Sequence, residues 1–208
     1  MNLRNALKLL AASAALLGGV GLLTACSQKK EEEATALAFS AIDVTGAQYA
    51  RQFELPDHNG QVRHLQDFAG KVVVMFFGYT QCPDVCPTTM NELAEVKRAL
   101  GKDGERVQGL FVTVDPARDT PEVLKAYMTA FDPSFLALIT TPETLAQVTK
   151  EYKIYYKRVD GSAPNTYTMD HSAGSYIYDT KGQLRLFTRY GSGVAALTSD
   201  IKILLNRP

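Results

Sequence analysis

Lys71-Val72-Val73-Val74-Met75-Phe76-Phe77-Gly78-Tyr79-Thr80-Gln81-Cys82-Pro83-Asp84-Val85-Cys86-Pro87-Thr88 is the stretch around which this 208-residue chain is organised. Residues 72–77 are an unbroken run of β-branched, aromatic and other apolar side chains. They lack the polar alternation of a half-solvated strand, so they read as a central strand covered on both faces. Gly78 closes the strand. After a short turn come Cys82 and Cys86, each followed by a proline, and then Met90, Leu93, Val96 and Leu100 recur at helical spacing. Proline suits the first helical position and pushes the residue before it out of the α region, so the spacing predicts a helix from Pro87 with Cys86 at the cap. A start at Thr89, with Glu92 completing a capping box, is the competing register. Both registers set the two sulfurs beside a helix N-terminus, where free N–H groups and the macrodipole favour thiolate over thiol.

Composition narrows the setting of that thiol pair. Lys and Arg total 22 against 22 Asp and Glu, with no basic cluster beyond the N-terminal region, which excludes the electrostatic footprint of a nucleic-acid binder. Residues 1–25 carry Arg4 and Lys8, then an apolar, small-residue run, and end in Leu23-Thr24-Ala25 before Cys26. This resembles a lipobox, which predicts a cleaved signal peptide and an acylated Cys26 that anchors the exported chain to the bacterial membrane, facing the periplasm or cell exterior. Residues 26–48 include Lys29-Lys30-Glu31-Glu32-Glu33 and show no sustained apolar face, so they read as a flexible tether. Residues 49–208 then form one domain. With Cys26 taken by lipid, Cys82 and Cys86 are the remaining thiols in an oxidising compartment, and they can pair only with each other. A bridge across so short a segment removes little unfolded-state entropy, so stapling is a poor reason for the pair.

Outward from the thiol stretch, residues 53–68 read as a β-hairpin turning at Asn59-Gly60. His58 and His64 fall in it as surface or edge residues, without a second donor at metal-binding spacing. Residues 107–114 are a second buried strand, followed by Asp115-Pro116-Ala117-Arg118-Asp119-Thr120-Pro121, in which Asp119 or Thr120 caps a helix with Pro121 at its first position. Residues 135–140 read as a strand, 142–152 as a helix capped by Thr141, and 155–159 as a strand or edge. Residues 160–166 read as a loop, 175–179 and 184–190 as a hairpin, and 194–206 as a final helix. Residues 167–172 carry no element assignment. Alternation of strand and helix predicts a mixed, largely parallel sheet.

An exported α/β domain with a cysteine pair at the end of its first core strand points to a thioredoxin-like fold with an added N-terminal β-hairpin. Three residues separate the cysteines, a wider bite than the two of thioredoxin-type oxidoreductases, and one that suits an ion between the sulfurs. Three blocks then resemble the Sco/SenC family in order: Tyr79-Thr80-Gln81-Cys82-Pro83-Asp84-Val85-Cys86-Pro87-Thr88, Val114-Asp115-Pro116-Ala117-Arg118-Asp119-Thr120-Pro121, and Asp170-His171-Ser172. The resemblance implies a membrane-tethered copper-binding protein that helps assemble the binuclear copper centre of cytochrome c oxidase, with Cys82, Cys86 and His171 as copper ligands. Its partner would be the copper-bearing subunit of the oxidase, with other periplasmic copper or thiol-redox proteins as further candidates. Two thiolates and an imidazole suit copper, particularly Cu(I), whereas a structural zinc site normally takes four protein ligands. Asp115 is a candidate for supporting the ligands from behind or meeting a partner. The alternative is an enzyme, a thiol–disulfide oxidoreductase that uses a redox-active Cys82–Cys86 disulfide to keep cysteines of the oxidase reduced. A thiol peroxidase draws little support from this spacing.

Overall fold

The computed structural model describes residues 39–206. The expected signal peptide, Cys26 and the first part of the expected tether lie outside the described residues. In chain order the strands and helices are β1 Ile42–Asp43, β2 Glu54–Pro56, β3 Val62–His64, β4 Val72–Gly78, α1 Val85–Leu100, β5 Val107–Thr113, α2 Pro121–Thr129 and β6 Leu136–Leu138. There follow α3 Pro142–Tyr152, β7 Tyr156–Asp160, β8 Tyr167–His171, β9 Ser175–Tyr178, β10 Leu184–Thr188 and α4 Val194–Asn206. Six strands form the main sheet in the order β1-β10-β9-β4-β5-β6, and the β2–β3 and β7–β8 pairs stand apart from it. The fold is α/β and thioredoxin-like, and the added N-terminal hairpin is β2–β3.

All seven residues of β4 and all seven of β5 are buried, which is why neither shows a polar alternation. Phe77 faces Tyr152 of α3, with ring centroids 5.2 Å apart, while Phe76 on the opposite face meets Phe111 at 6.2 Å. The sheet is less parallel than expected. β4–β5 and β5–β6 are parallel, but β4–β9, β9–β10 and β10–β1 are antiparallel, because the tight turn after β9 folds β10 straight back and the resulting hairpin docks on β4.

This register is what builds a site. β4 and β5 end level, Gly78 opposite Thr113, so the loops that follow them lie side by side. β9 begins beside Phe76, which brings the residues just before it to the same end of the sheet. Three segments distant in sequence therefore converge where β4 stops, the usual place for a ligand in an open α/β sheet.

One boundary differs from expectation. The tether ends before residue 40: β1 pairs with β10, Ile42 opposite Phe187, and the N–H groups of Ser40 and Ala41 donate to the buried Asp200 carboxylate at 2.9 and 2.8 Å. A single carboxylate and the edge of β10 can order a segment that has no amphipathic period of its own. The hairpin turn is likewise built by one acid. Asp57 accepts from the N–H of Asn59 (2.8 Å), the N–H of Gln61 (3.1 Å) and Arg63 Nε (2.9 Å), closing the turn from within.

Candidate metal centre

Helix α1 starts earlier than the proline rule indicates. The N–H of Thr88 donates to the Asp84 carbonyl at 3.1 Å, so Asp84 is the cap, Val85 the first helical residue, Cys86 the second and Pro87 the third. Pro87 still costs nothing, because first-turn N–H groups have no partner inside the helix. Cys82 lies in the preceding turn, its N–H donating to the Tyr79 carbonyl at 3.2 Å. The Cys86 N–H points at Cys82 Sγ, 3.4 Å away. Cys86 is fully buried, Cys82 half-buried, and both are free thiols.

The third donor arrives on β8, the strand that had no assignment in the sequence. His171 Nε2 lies 3.4 Å from Cys86 Sγ, and the donor atoms of Cys82, Cys86 and His171 all lie within 4.8 Å of one another. Among the described residues this is the only group of three or more such side chains placed to hold a metal ion. The His171 ring is wedged edge-on between Phe76 (5.9 Å) and Tyr79 (5.8 Å). Its Nδ1 is 3.0 Å from the Ser172 carbonyl, and because a carbonyl only accepts, Nδ1 carries the proton and Nε2 keeps its lone pair facing the sulfurs.

Electrostatics correct one expectation. The helix N-terminus does not make Cys86 a thiolate, because burial pushes its thiol well above the usual range. A helix terminus is worth about 0.3–2 kcal/mol, whereas full burial moves a titration by up to about 3–5 pH units. Burial also lowers the pKa of His171. Both shifts favour a neutral Cys86–His171 pair, with the Cys86 S–H facing Nε2, and a soft cation would take that proton's place and release it.

The polar loop after β5 supports the site. The sequence left Asp119 and Thr120 as rival caps of α2; Thr120 is the cap, accepting from Val123 N–H at 3.4 Å. Asp119 turns inward instead and binds the thiol loop to the end of β5, accepting from Thr80 N–H (3.2 Å), Thr80 Oγ1 (2.5 Å) and Thr113 Oγ1 (2.5 Å). Burial raises its pKa even against those three donors. Asp115 is 3 % exposed and touches neither cysteine. Its carboxylate meets Arg118 Nε, and Tyr167 Oη at 2.9 Å. Arg118, Tyr167 and Asp119 went unread as site residues; Arg118 and Asp119 stood in a polar, charged turn directly after a fully buried strand, and nothing local marked Tyr167 at the start of β8. His58 lies away from the site, where its Nδ1 accepts from the Ala137 N–H, and His64 faces Glu54 at 3.6 Å.

The model of the SCO1/SenC family matches residues 43–206. The chain belongs to this family. It is 35% identical over 170 residues to a SCO2-like protein of Rickettsia felis, covering 81% of this chain and 82% of that one. Among solved structures, Bradyrhizobium japonicum ScoI with copper bound is 39% identical with a TM-score of 0.67, covering 74% of this chain and 97% of that one. The apo Sco1 protein of Thermus thermophilus is 35% identical with a TM-score of 0.71, covering 80% of this chain and 97% of that one. The thiol pair, the Asp115–Asp119 turn and His171 all fall inside the segment matched to the SCO1/SenC model.

Proposed function

We propose that this SCO1/SenC chain is a copper carrier that binds the ion through Cys82, Cys86 and His171 and passes it to the binuclear copper centre of cytochrome c oxidase. The observation that carries the reading is the convergence of two soft sulfurs and one lone-pair nitrogen within 4.8 Å of one another. Such a set prefers copper to harder ions and leaves coordination positions open through which a partner's thiols could take the ion by ligand exchange. The copper-bound ScoI relative supports the cargo. Oxidation of Cys82 and Cys86 to a disulfide would remove both sulfur donors and switch binding off. Cys26, acylated after cleavage of residues 1–25, would hold the domain at the membrane surface where the oxidase sits. Among the described residues no helix is long and apolar enough to cross a membrane.

The test is a copper titration of the reduced and the oxidised protein. One ion per reduced chain and none per oxidised chain is the expected result, and a reduced chain that binds no copper would overturn the reading. One observation favours a second reading, a thiol–disulfide reductase. Cys82 is half-exposed while Cys86 is fully buried, the asymmetry expected of an attacking and a resolving thiol.

A further inference from the structure

His171 is carried on a ribbon that has no place in the main sheet. β7 and β8 pair only with each other, four of the five β7 residues are exposed, and Met169 is the only buried residue of β8. A two-stranded ribbon with so little apolar cover has little of its own to hold it in one position. Its Tyr167 end is tied down by Arg118. Arg118 Nε meets the Asp115 carboxylate, and Nη1 donates both to Gln81 Oε1 (3.0 Å) and to the Tyr167 carbonyl (2.9 Å). The guanidinium also lies over the Tyr167 ring, 3.5 Å from its centroid, and 5.6 Å from that of Tyr79, which itself abuts His171. Tyr167 Oη closes the circuit by donating to the other Asp115 oxygen.

One planar cation therefore touches the thiol loop beside Cys82, the turn after β5 and the ribbon that bears His171. Arg118 Nη2 is buried as well, so the guanidinium is enclosed by the three segments it joins. We propose that Arg118 is a positioning residue for the metal centre, fixing the ribbon against the thiol loop so that His171 Nε2 stays within reach of both sulfurs. This rests on the reading of Cys82, Cys86 and His171 as copper ligands. Lysine cannot replace it, because a point charge lacks the fork that holds Asp115, Gln81 and Tyr167 together and the flat face that stacks on the ring.

The experiment is a double-mutant cycle on the full chain. Copper affinity of the reduced protein is measured by competition with a chromophoric chelator for wild type, Arg118→Lys, Arg118→Ala, His171→Ala and each combination. With His171 present, both Arg118 variants should lose about 10- to 100-fold in affinity, the usual effect of losing a partner behind a ligand. In the His171→Ala background they should lose nothing more. NMR contacts from the His171 ring to Phe76 and Tyr79 in the metal-free protein should weaken in the same variants. Equal losses in both backgrounds, or a folded Arg118→Lys with wild-type affinity and intact His171 contacts, would overturn the proposal. If Arg118→Ala fails to fold, Arg118→Lys and Tyr167→Leu carry the same comparison. A wild-type chain that binds no copper would strike the copper reading instead, and the NMR contacts would still decide the positioning.

Discussion

The sulfur of Cys86 lies 2.8 Å from the point where a Cβ on Gly78 would stand. The same point is 2.8 Å from the Phe76 ring and 2.9 Å from the Phe111 ring, so no neighbour can yield without moving another. Gly78 is the last residue of β4, and its missing side chain is what lets α1 lay its first turn against the strand end. Gly78→Ala should cost about 1–3 kcal/mol from overpacking and should lower copper affinity by about 10-fold through displacement of Sγ. Urea unfolding and copper titration measure the two effects. A folded variant with wild-type affinity would show that the sulfur is free to move.

His171→Ala separates the two readings of function. It removes the nitrogen donor and leaves both thiols, so copper affinity should fall by more than the roughly 10- to 100-fold expected for losing a mere supporting partner. Cys82, half-exposed and four residues from the buried thiol, should still attack a disulfide substrate at close to the wild-type rate. The two assays are run on the same preparation. Failure of oxidase assembly with intact disulfide exchange supports delivery, whereas normal assembly without copper binding would leave the reductase standing.

How much of this could be read from the chain depended on whether the signal was local. The strand–thiol–helix unit lies within one stretch, and its apolar run and Cys-Pro pairs carry their own pattern. The site beyond it was harder to read. His171 is 85 residues from Cys86, and only the family resemblance joined them. The strand that carries it does alternate, with Tyr167, Met169 and His171 turned inward and Thr168 and Asp170 exposed, but only Met169 of the inward set is both aliphatic and buried, so the apolar signal of a strand is weak. β1 is two residues long and pairs with β10, and the residues just before it are held by Asp200, 159 positions away from Ala41, a partner no window on the sequence contains. Arg118 could be read only as a member of a turn that resembles the family's, since its role lies in the three segments it touches.

The ordered segment before residue 49 revises where the domain begins. A chain starting at Tyr49 loses β1, the packing of Phe39, Ala41 and Val44 on the core, and the two N–H donors of Asp200. Bonds to a charged acceptor contribute about 1.5–3 kcal/mol each, and Asp200, 1 % exposed, would be left with an unpaired carboxylate. This chain should be less stable by roughly 3 kcal/mol or more than one starting at residue 37. Comparison of urea midpoints decides the point, and equal midpoints would return residues 39–48 to the tether.

Asp57 predicts how stability responds to acid. Burial alone would raise its pKa, but Arg63 and the N–H groups of Gln61 and Asn59 outweigh it and hold the carboxyl below its usual range. Such a group binds fewer protons folded than unfolded at the pH where the free carboxyl titrates. Its contribution is therefore complete above about pH 4 and is lost as pH falls through the lower folded value. Asp57→Ala leaves the turn N–H groups of Asn59 and Gln61 and the half-buried Arg63 without their acceptor, and should cost about 1–3 kcal/mol at neutral pH. Asp57→Asn keeps the shape and loses the charge, and its stability should fall less steeply than wild type below about pH 4. Urea midpoints measured from neutral to acid pH on both chains test this, and parallel curves would assign the acid sensitivity to other carboxylates.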